Sequence, residues 1–143
     1  MTPEEKKRLF EKVETQLIVD EDLRLMPYKC PAGKLTIGVG RNLEDNGITR
    51  EEAYYLLRND LDTCHRQLSL TIPFYDRLPS DKKEILLNMG FNMGLTRLQG
   101  FKRMLAAMAV NDWDEAAHEM ANSAWARQVG GRAKRLIGKM RGD

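Results

Sequence analysis

Hydrophobic positions recur at helical spacing along most of this chain and lose that spacing in one short stretch. Leu9, Phe10, Val13, Leu17 and Ile18 form an i, i+3, i+4 stripe behind Thr2-Pro3-Glu4-Glu5. That opening combines an N-cap hydroxyl, a proline at the first helical position and a capping-box glutamate. It predicts a helix over Pro3–Val19, with Glu21 at or just beyond its end. From Leu23 to Tyr28 and from Lys34 to Val39 the pattern changes to short apolar runs around Pro31-Ala32-Gly33. This reads as a hairpin or small irregular sheet, followed by a loop through Asp45-Asn46-Gly47.

After that segment everything reads as helix. Thr49-Arg50-Glu51-Glu52 is a second capping box, opening a helix that carries Ala53, Leu56, Leu57, Leu61 and Leu68. Pro73 and Pro79 punctuate a connection, and Ser80 is placed to cap a helix through Ile85, Leu86 and Met89. Gly94 and Gly100 divide the next region. Asp112-Trp113-Asp114-Glu115 starts a helix, and Gly130-Gly131 separates it from a basic one ending near Arg141. The expected class is α+β and mostly helical, in one domain over 1–143. Its parts are an N-terminal helix over 1–19, a small β lobe over about 20–47 and a helical lobe over about 48–143. Core packing is expected for most of Phe91, Phe101, Trp113 and Trp125, and for the methionines Met89, Met93, Met104 and Met108.

Composition narrows function little. The net charge is +2, from 23 basic and 21 acidic residues, but from Ala124 onward six cations (Arg127, Arg132, Lys134, Arg135, Lys139, Arg141) face one acid, Asp143. Such a cluster suits an anionic polymer or lipid, and equally a solvated helix face. Cys30 and Cys64 make no disulfide framework, and His65 and His118 are too isolated for a zinc site, so no metal or cofactor is expected. Neither a signal core nor a membrane-spanning stretch is visible, which predicts synthesis and retention in a cytoplasm.

The junction of the first helix with the hairpin is where chemistry is expected. Glycoside cleavage needs a proton donor for the leaving oxygen and a second group for the attacking water or the oxocarbenium-like centre. Glu21, Cys30 and Thr36 are candidates there. An acid between Asp20 and Asp22 is, on its own, more often part of a solvated turn. The run Val19-Asp20-Glu21-Asp22-Leu23-Arg24-Leu25, Tyr28, and Thr36-Ile37-Gly38-Val39-Gly40 resembles the phage lysozymes of glycoside hydrolase family 24. That family's pattern is a Glu, eight residues, an Asp or Cys, five residues and a Thr, and Glu21, Cys30 and Thr36 match it. Asn88–Gly94, Gly100-Phe101, Trp113–Ala117 and Arg132–Arg135 resemble further family segments in family order.

The resemblance implies a lysozyme-like fold with a cleft between the β-hairpin lobe and the helical lobe. It also implies a muramidase acting on bacterial peptidoglycan for host lysis. Glu21 would be the general acid, which must keep its proton near neutral pH; Arg132 would support it, Thr36 would orient water, and Phe91 would contact saccharide. Cys30 stays open between base, nucleophile, polarizable group and packing. As a base it would need a lowered pKa, expected to come from nearby positive charge. The T-even enzymes carry aspartate at Cys30 and histidine at Arg41, and their segment between Gly40 and Ile48 is longer. Asn42, Met104 and Glu119 replace other saccharide contacts. Two alternatives remain: a lytic transglycosylase, which needs no second acid, and a non-enzymatic helical module for wall or nucleic acid. Release to the wall through a holin's membrane lesion, no specific nucleic acid partner and a monomeric state complete the expectations.

Overall fold

The computed structural model describes residues 1–143. Helix α1 runs Pro3–Glu21, two residues beyond the expected end, so that Glu21 is its last residue. Both halves of its capping box form: Glu5 N donates to Thr2 Oγ1 at 3.1 Å, and Thr2 N donates to Glu5 Oε2 at 2.9 Å. The helix stops at Asp22, which holds φ +69 and ψ 162, a conformation that residues with a Cβ rarely adopt. Asp22 Oδ1 accepts from Leu23 N at 2.8 Å and so fixes the turn.

Three antiparallel strands follow in the order β1 (Arg24–Lys29), β2 (Leu35–Gly38) and β3 (Arg41–Asn42). Tyr28 pairs with Thr36 and Lys29 with Leu35. The register slips between Arg24 and Tyr28, the interval that contains Pro27, which has no N–H to give a ladder. Ile37 pairs with Arg41 and Thr36 with Asn42. Strand β3 and the single-turn helix α2 (Leu43–Asn46) replace the expected loop, with Asn42 Oδ1 accepting from Asp45 N at 3.0 Å as the cap. The middle strand places Thr36 in the interior, 3% exposed.

Helix α3 (Arg50–Thr71) begins at the second capping box, where Glu52 N donates to Thr49 Oγ1 at 3.1 Å and Thr49 N to Glu52 Oε1 at 2.8 Å. The chain forms two compact units, Met1–Tyr54 and Tyr55–Asp143, and α3 contributes to both. Of its expected apolar face, Leu68 is fully buried while Leu56, Leu57 and Leu61 remain exposed.

The second unit is all helix: α4 (Ser80–Met93), α5 (Leu95–Gln99), α6 (Lys102–Ala109), α7 (Trp113–Ala121), α8 (Ala124–Val129) and α9 (Gly131–Arg141), preceded by a 3-10 turn at Tyr75–Arg77. Its core joins Leu68, Tyr75, Ile85, Leu86 and Leu98 to five methionines, Met89, Met104, Met108, Met120 and Met140, each at most 1% exposed. Ser80 is not a cap; the N-cap is Pro79, and Ser80 is already helical. The single helix expected from Asp112 to Gly130 breaks at Ser123, whose hydroxyl accepts from Ala126 N at 3.1 Å and starts α8. Lys82 is a charged residue inside this unit, 3% exposed. Its Nζ donates to the α9 carbonyls of Lys139 at 2.8 Å and Met140 at 3.0 Å, and lies 5.2 Å from the Trp113 ring centre. No helix is long and apolar enough to cross a membrane.

Candidate active site

Glu21, Cys30 and Thr36 all lie in the first unit. Because α1 ends on Glu21, its exposed carboxylate is carried by the last turn of a rigid helix and is followed by the strained Asp22. The turn between β2 and β3 comes up against this carboxylate at Gly40. A Cβ on Gly40 would stand 3.3 Å from Glu21 Oε2 and 3.6 Å from its Cδ and Cγ. Gly40 also has φ +73, which favours glycine there, and any larger residue would push the Glu21 carboxylate aside by a few tenths of an ångström.

Cys30 follows β1 and brackets the hairpin turn. Its N–H donates to Lys34 O at 2.9 Å, and its carbonyl accepts from Gly33 N at 2.8 Å. The backbone amide of Lys34 in the first place, then that of Ala32 and the Thr36 hydroxyl, hold the Cys30 thiol below its ordinary pKa, while partial burial pulls the other way. The lowering that a base role would need thus comes from hydrogen-bond donors that favour the thiolate, not from nearby positive charge. Thr36 Oγ1 also donates to Lys34 O at 2.8 Å. Its one hydrogen is thus engaged by that carbonyl, and its lone pairs stay free to accept. The hairpin closure thus brings Cys30 and Thr36 together, and Glu21 packs on the next turn of the same sheet.

Phe91 and Arg132 belong to the second unit. Phe91 is 45% exposed, so the core packing expected for most of the aromatics does not hold for it. Met89 is buried on α4, and a residue two positions later points to the opposite side of the helix. Phe91 instead forms one wall of an open cavity of about 300 Å³ shared with Cys64, Gln67 and Gly94. Arg132 is half-buried on α9, next to the buried Ala133. Met104 and Glu119 line a larger groove of about 490 Å³ with Arg97, Lys102 and Arg103. Met104 is buried, whereas Asn42 is occupied in capping α2. Both cysteines are free, and burial pushes the Cys64 thiol up.

Sequence reasoning missed a pair beside the site. Arg41 Nη1 and Nη2 donate to Glu52 Oε1 and Oε2, both at 2.9 Å, and Nη1 also donates to Gly47 O at 3.2 Å. The capping box identified Glu52, but nothing in the sequence joined it to Arg41.

A helix ending on a glutamate, a three-stranded sheet and a helical unit, in this order, are the layout of a lysozyme-like hydrolase. The phage lysozyme family matches residues 19–141. The central spike protein Gp5 of enterobacteria phage T4 is 32% identical over 82% of this chain, and the match spans a quarter (25%) of that protein's length. A probable T4-type lysozyme of Dictyostelium discoideum is 29% identical over 87% of this chain and 91% of its own. An endolysin of Acyrthosiphon pisum secondary endosymbiont phage 1 is 30% identical over 78% of this chain and 77% of its own. The chain belongs to the phage lysozyme family, and it is a lysozyme-like peptidoglycan hydrolase.

Proposed function

We propose that this enzyme hydrolyses the β-1,4 bond between N-acetylmuramic acid and N-acetylglucosamine in bacterial peptidoglycan, and that it serves host cell lysis. Glu21 is the general acid. It gives its proton to the glycosidic oxygen as the bond from that oxygen to the anomeric carbon breaks. Water attacks the same carbon, its proton passes to the Cys30 thiolate, and Thr36 accepts a hydrogen bond from that water to aim it. Solvent then returns the enzyme to its starting protonation. The observation that carries this reading is the placement of the three side chains: the hairpin closes at Cys30 beside Thr36, and the next turn of the same sheet lies against the Glu21 carboxylate. A hydrolase needs a second group able to take a proton, and a thiol held below its ordinary pKa is a better candidate for that role.

The same observation weighs against a lytic transglycosylase, which would use Glu21 alone and leave an internal anhydro ring. It also gives a non-enzymatic wall or nucleic-acid module no use for that hairpin. The test is a zymogram and turbidity assay on Glu21→Gln, with product analysis of the wild type. Activity should fall by at least ~10², the usual scale for a general acid, and wild-type products should carry new reducing ends. A folded Glu21→Gln protein that clears wall at the wild-type rate would sink the assignment, and anhydro products would replace hydrolysis with transglycosylation.

A further inference from the structure

We propose that Arg41 is a positioning residue for the reaction, holding the β2–β3 turn, and with it Gly40, against the carboxylate of Glu21. This rests on the proposed role of Glu21 as acid.

Strand β3 is two residues long, and its only sheet partner is β2. So short an edge strand has little ladder of its own to keep it in place. Yet the residue before it, Gly40, approaches Glu21 so closely that a methyl group would press on Oε2. Something outside the ladder must fix that turn, and the structure supplies it at the next residue. The Arg41 guanidinium makes a two-pronged bond to Glu52 at 2.9 Å on each arm and a third bond to Gly47 O. Glu52 is in turn anchored, since its Oε1 accepts from Thr49 N and its own N–H is held by Thr49 Oγ1. One carboxylate thus ties β3 and the end of α2 to the first turn of α3. Lysine offers a single point charge, so only arginine's planar fork can span both oxygens and the carbonyl. Arg41 also faces Ile37 in the ladder, one residue from Thr36, so the same clamp bears on the register of the water-aiming hydroxyl.

The bond to Arg41, and then those to Thr49, hold the Glu52 carboxyl at about 2. Over ordinary working conditions the clamp therefore stays ionised at both ends. A positioning role differs from a fold-stabilising one in what it moves. Loosening the turn should displace the acid relative to the bond being cut, and a displacement near 1 Å costs about 10² in rate. Substrate binding away from that bond should be spared.

The experiment compares Arg41→Met, Arg41→Lys, Glu52→Gln, Asp112→Ala and Glu21→Gln for kcat and KM on soluble peptidoglycan fragments, with thermal melts. Arg41→Met should lower kcat roughly 10- to 100-fold with KM within about twofold, the pattern of an interaction that serves the transition state. Glu52→Gln keeps the capping box but loses the charged fork, so its kcat should fall too; Arg41→Lys should recover part of the loss. Asp112→Ala removes the cap of α7, where Asp112 Oδ1 accepts from Glu115 N, and should lower the melting temperature while leaving kcat unchanged. Wild-type kcat in a folded Arg41→Met, or an equal kcat loss in Asp112→Ala, overturns the proposal. If Arg41→Met does not fold, Glu52→Gln decides by the same criterion. Full activity in Glu21→Gln would instead overturn the acid assignment. An inactive Glu21→Gln beside a wild-type Arg41→Met would remove the clamp alone.

Discussion

Replacing Lys82 by methionine tests how the helical unit is held together. Lys82 is 3% exposed and its ammonium donates to two carbonyls of the last turn of α9, at 2.8 and 3.0 Å, where intrahelical donors run out and that of Lys139 has only Gly142 N beside it. Methionine keeps a flexible apolar stem of similar reach and removes the charge and all three donors. A hydrogen bond to a charged group contributes about 1.5–3 kcal/mol, so the two bonds together stand for roughly 3–6 kcal/mol. Part of this is returned, because the variant no longer desolvates an ammonium. The neighbouring pair with Asp81, at 3.1 Å, adds little, since Asp81 is half exposed. The net expectation is a loss of about 3 kcal/mol, or a melting temperature lower by roughly 6–12 °C in a protein of this size. Calorimetry at neutral pH measures it, with Asp81→Asn as a control that should move the melt far less. Lys82 also holds the Asp81 carboxyl below its ordinary pKa. A depressed carboxyl stabilises the fold above its unfolded pKa and loses that contribution as pH falls through the folded value. The gap between wild type and variant should therefore narrow slightly in acid. A Lys82→Met protein melting within about 2 °C of wild type, under 1 kcal/mol by the same scaling, would refute the reasoning.

Three further outcomes follow from the two cysteines and the basic helix. Cys30→Asp should keep substantial activity, because a carboxylate can take the water's proton, whereas Cys30→Ala should lose much more; a folded, fully active Cys30→Ala would reduce Cys30 to packing. Alkylation followed by peptide mass mapping should modify Cys30 before Cys64 as pH is raised, since hydrogen bonds lower the first thiol and burial raises the second. Preferential labelling of Cys64 would contradict that order. Neutralising Lys134, Arg135, Lys139 and Arg141 should flatten the salt dependence of wall lysis without abolishing cleavage of short soluble fragments; an unchanged salt profile would leave these cations as a solvated face.

What could be read from the sequence was whatever local chemistry decides. The boxes Thr2/Glu5 and Thr49/Glu52 announced two helix starts correctly, because each is complete within four residues. The hairpin was legible from Pro31-Ala32-Gly33 and its flanking apolar runs. Strand β3 and helix α2 were not, being two and four residues long and held by pairing with β2 and by the Asn42 cap rather than by any periodicity. Ser80 misled because the chain turns into helix one residue earlier, at Pro79. At the site, the spacing of Glu21, Cys30 and Thr36 came through the family pattern. What lowers the Cys30 thiol did not, since the donors are backbone amides and a sequence carries no sign of where an amide points. Arg41 was noticed only as a departure from histidine; its partner lies 11 residues away on another element.

The methionine-filled interior of the helical unit has a consequence for how the protein ages. Thioether sulfur takes up oxygen from peroxide to give a polar sulfoxide that no longer suits an apolar interior. Met1 and Met26 are 84% and 74% exposed and meet oxidant directly, while Met89, Met104, Met108, Met120 and Met140 are shielded until the unit opens. Oxygen uptake at those five sulfurs therefore records opening events. Each event that ends in oxidation blocks clean reclosure, so a reversible excursion becomes permanent damage. In a peroxide-rich setting the lifetime of this enzyme is then set by how often its second unit breathes.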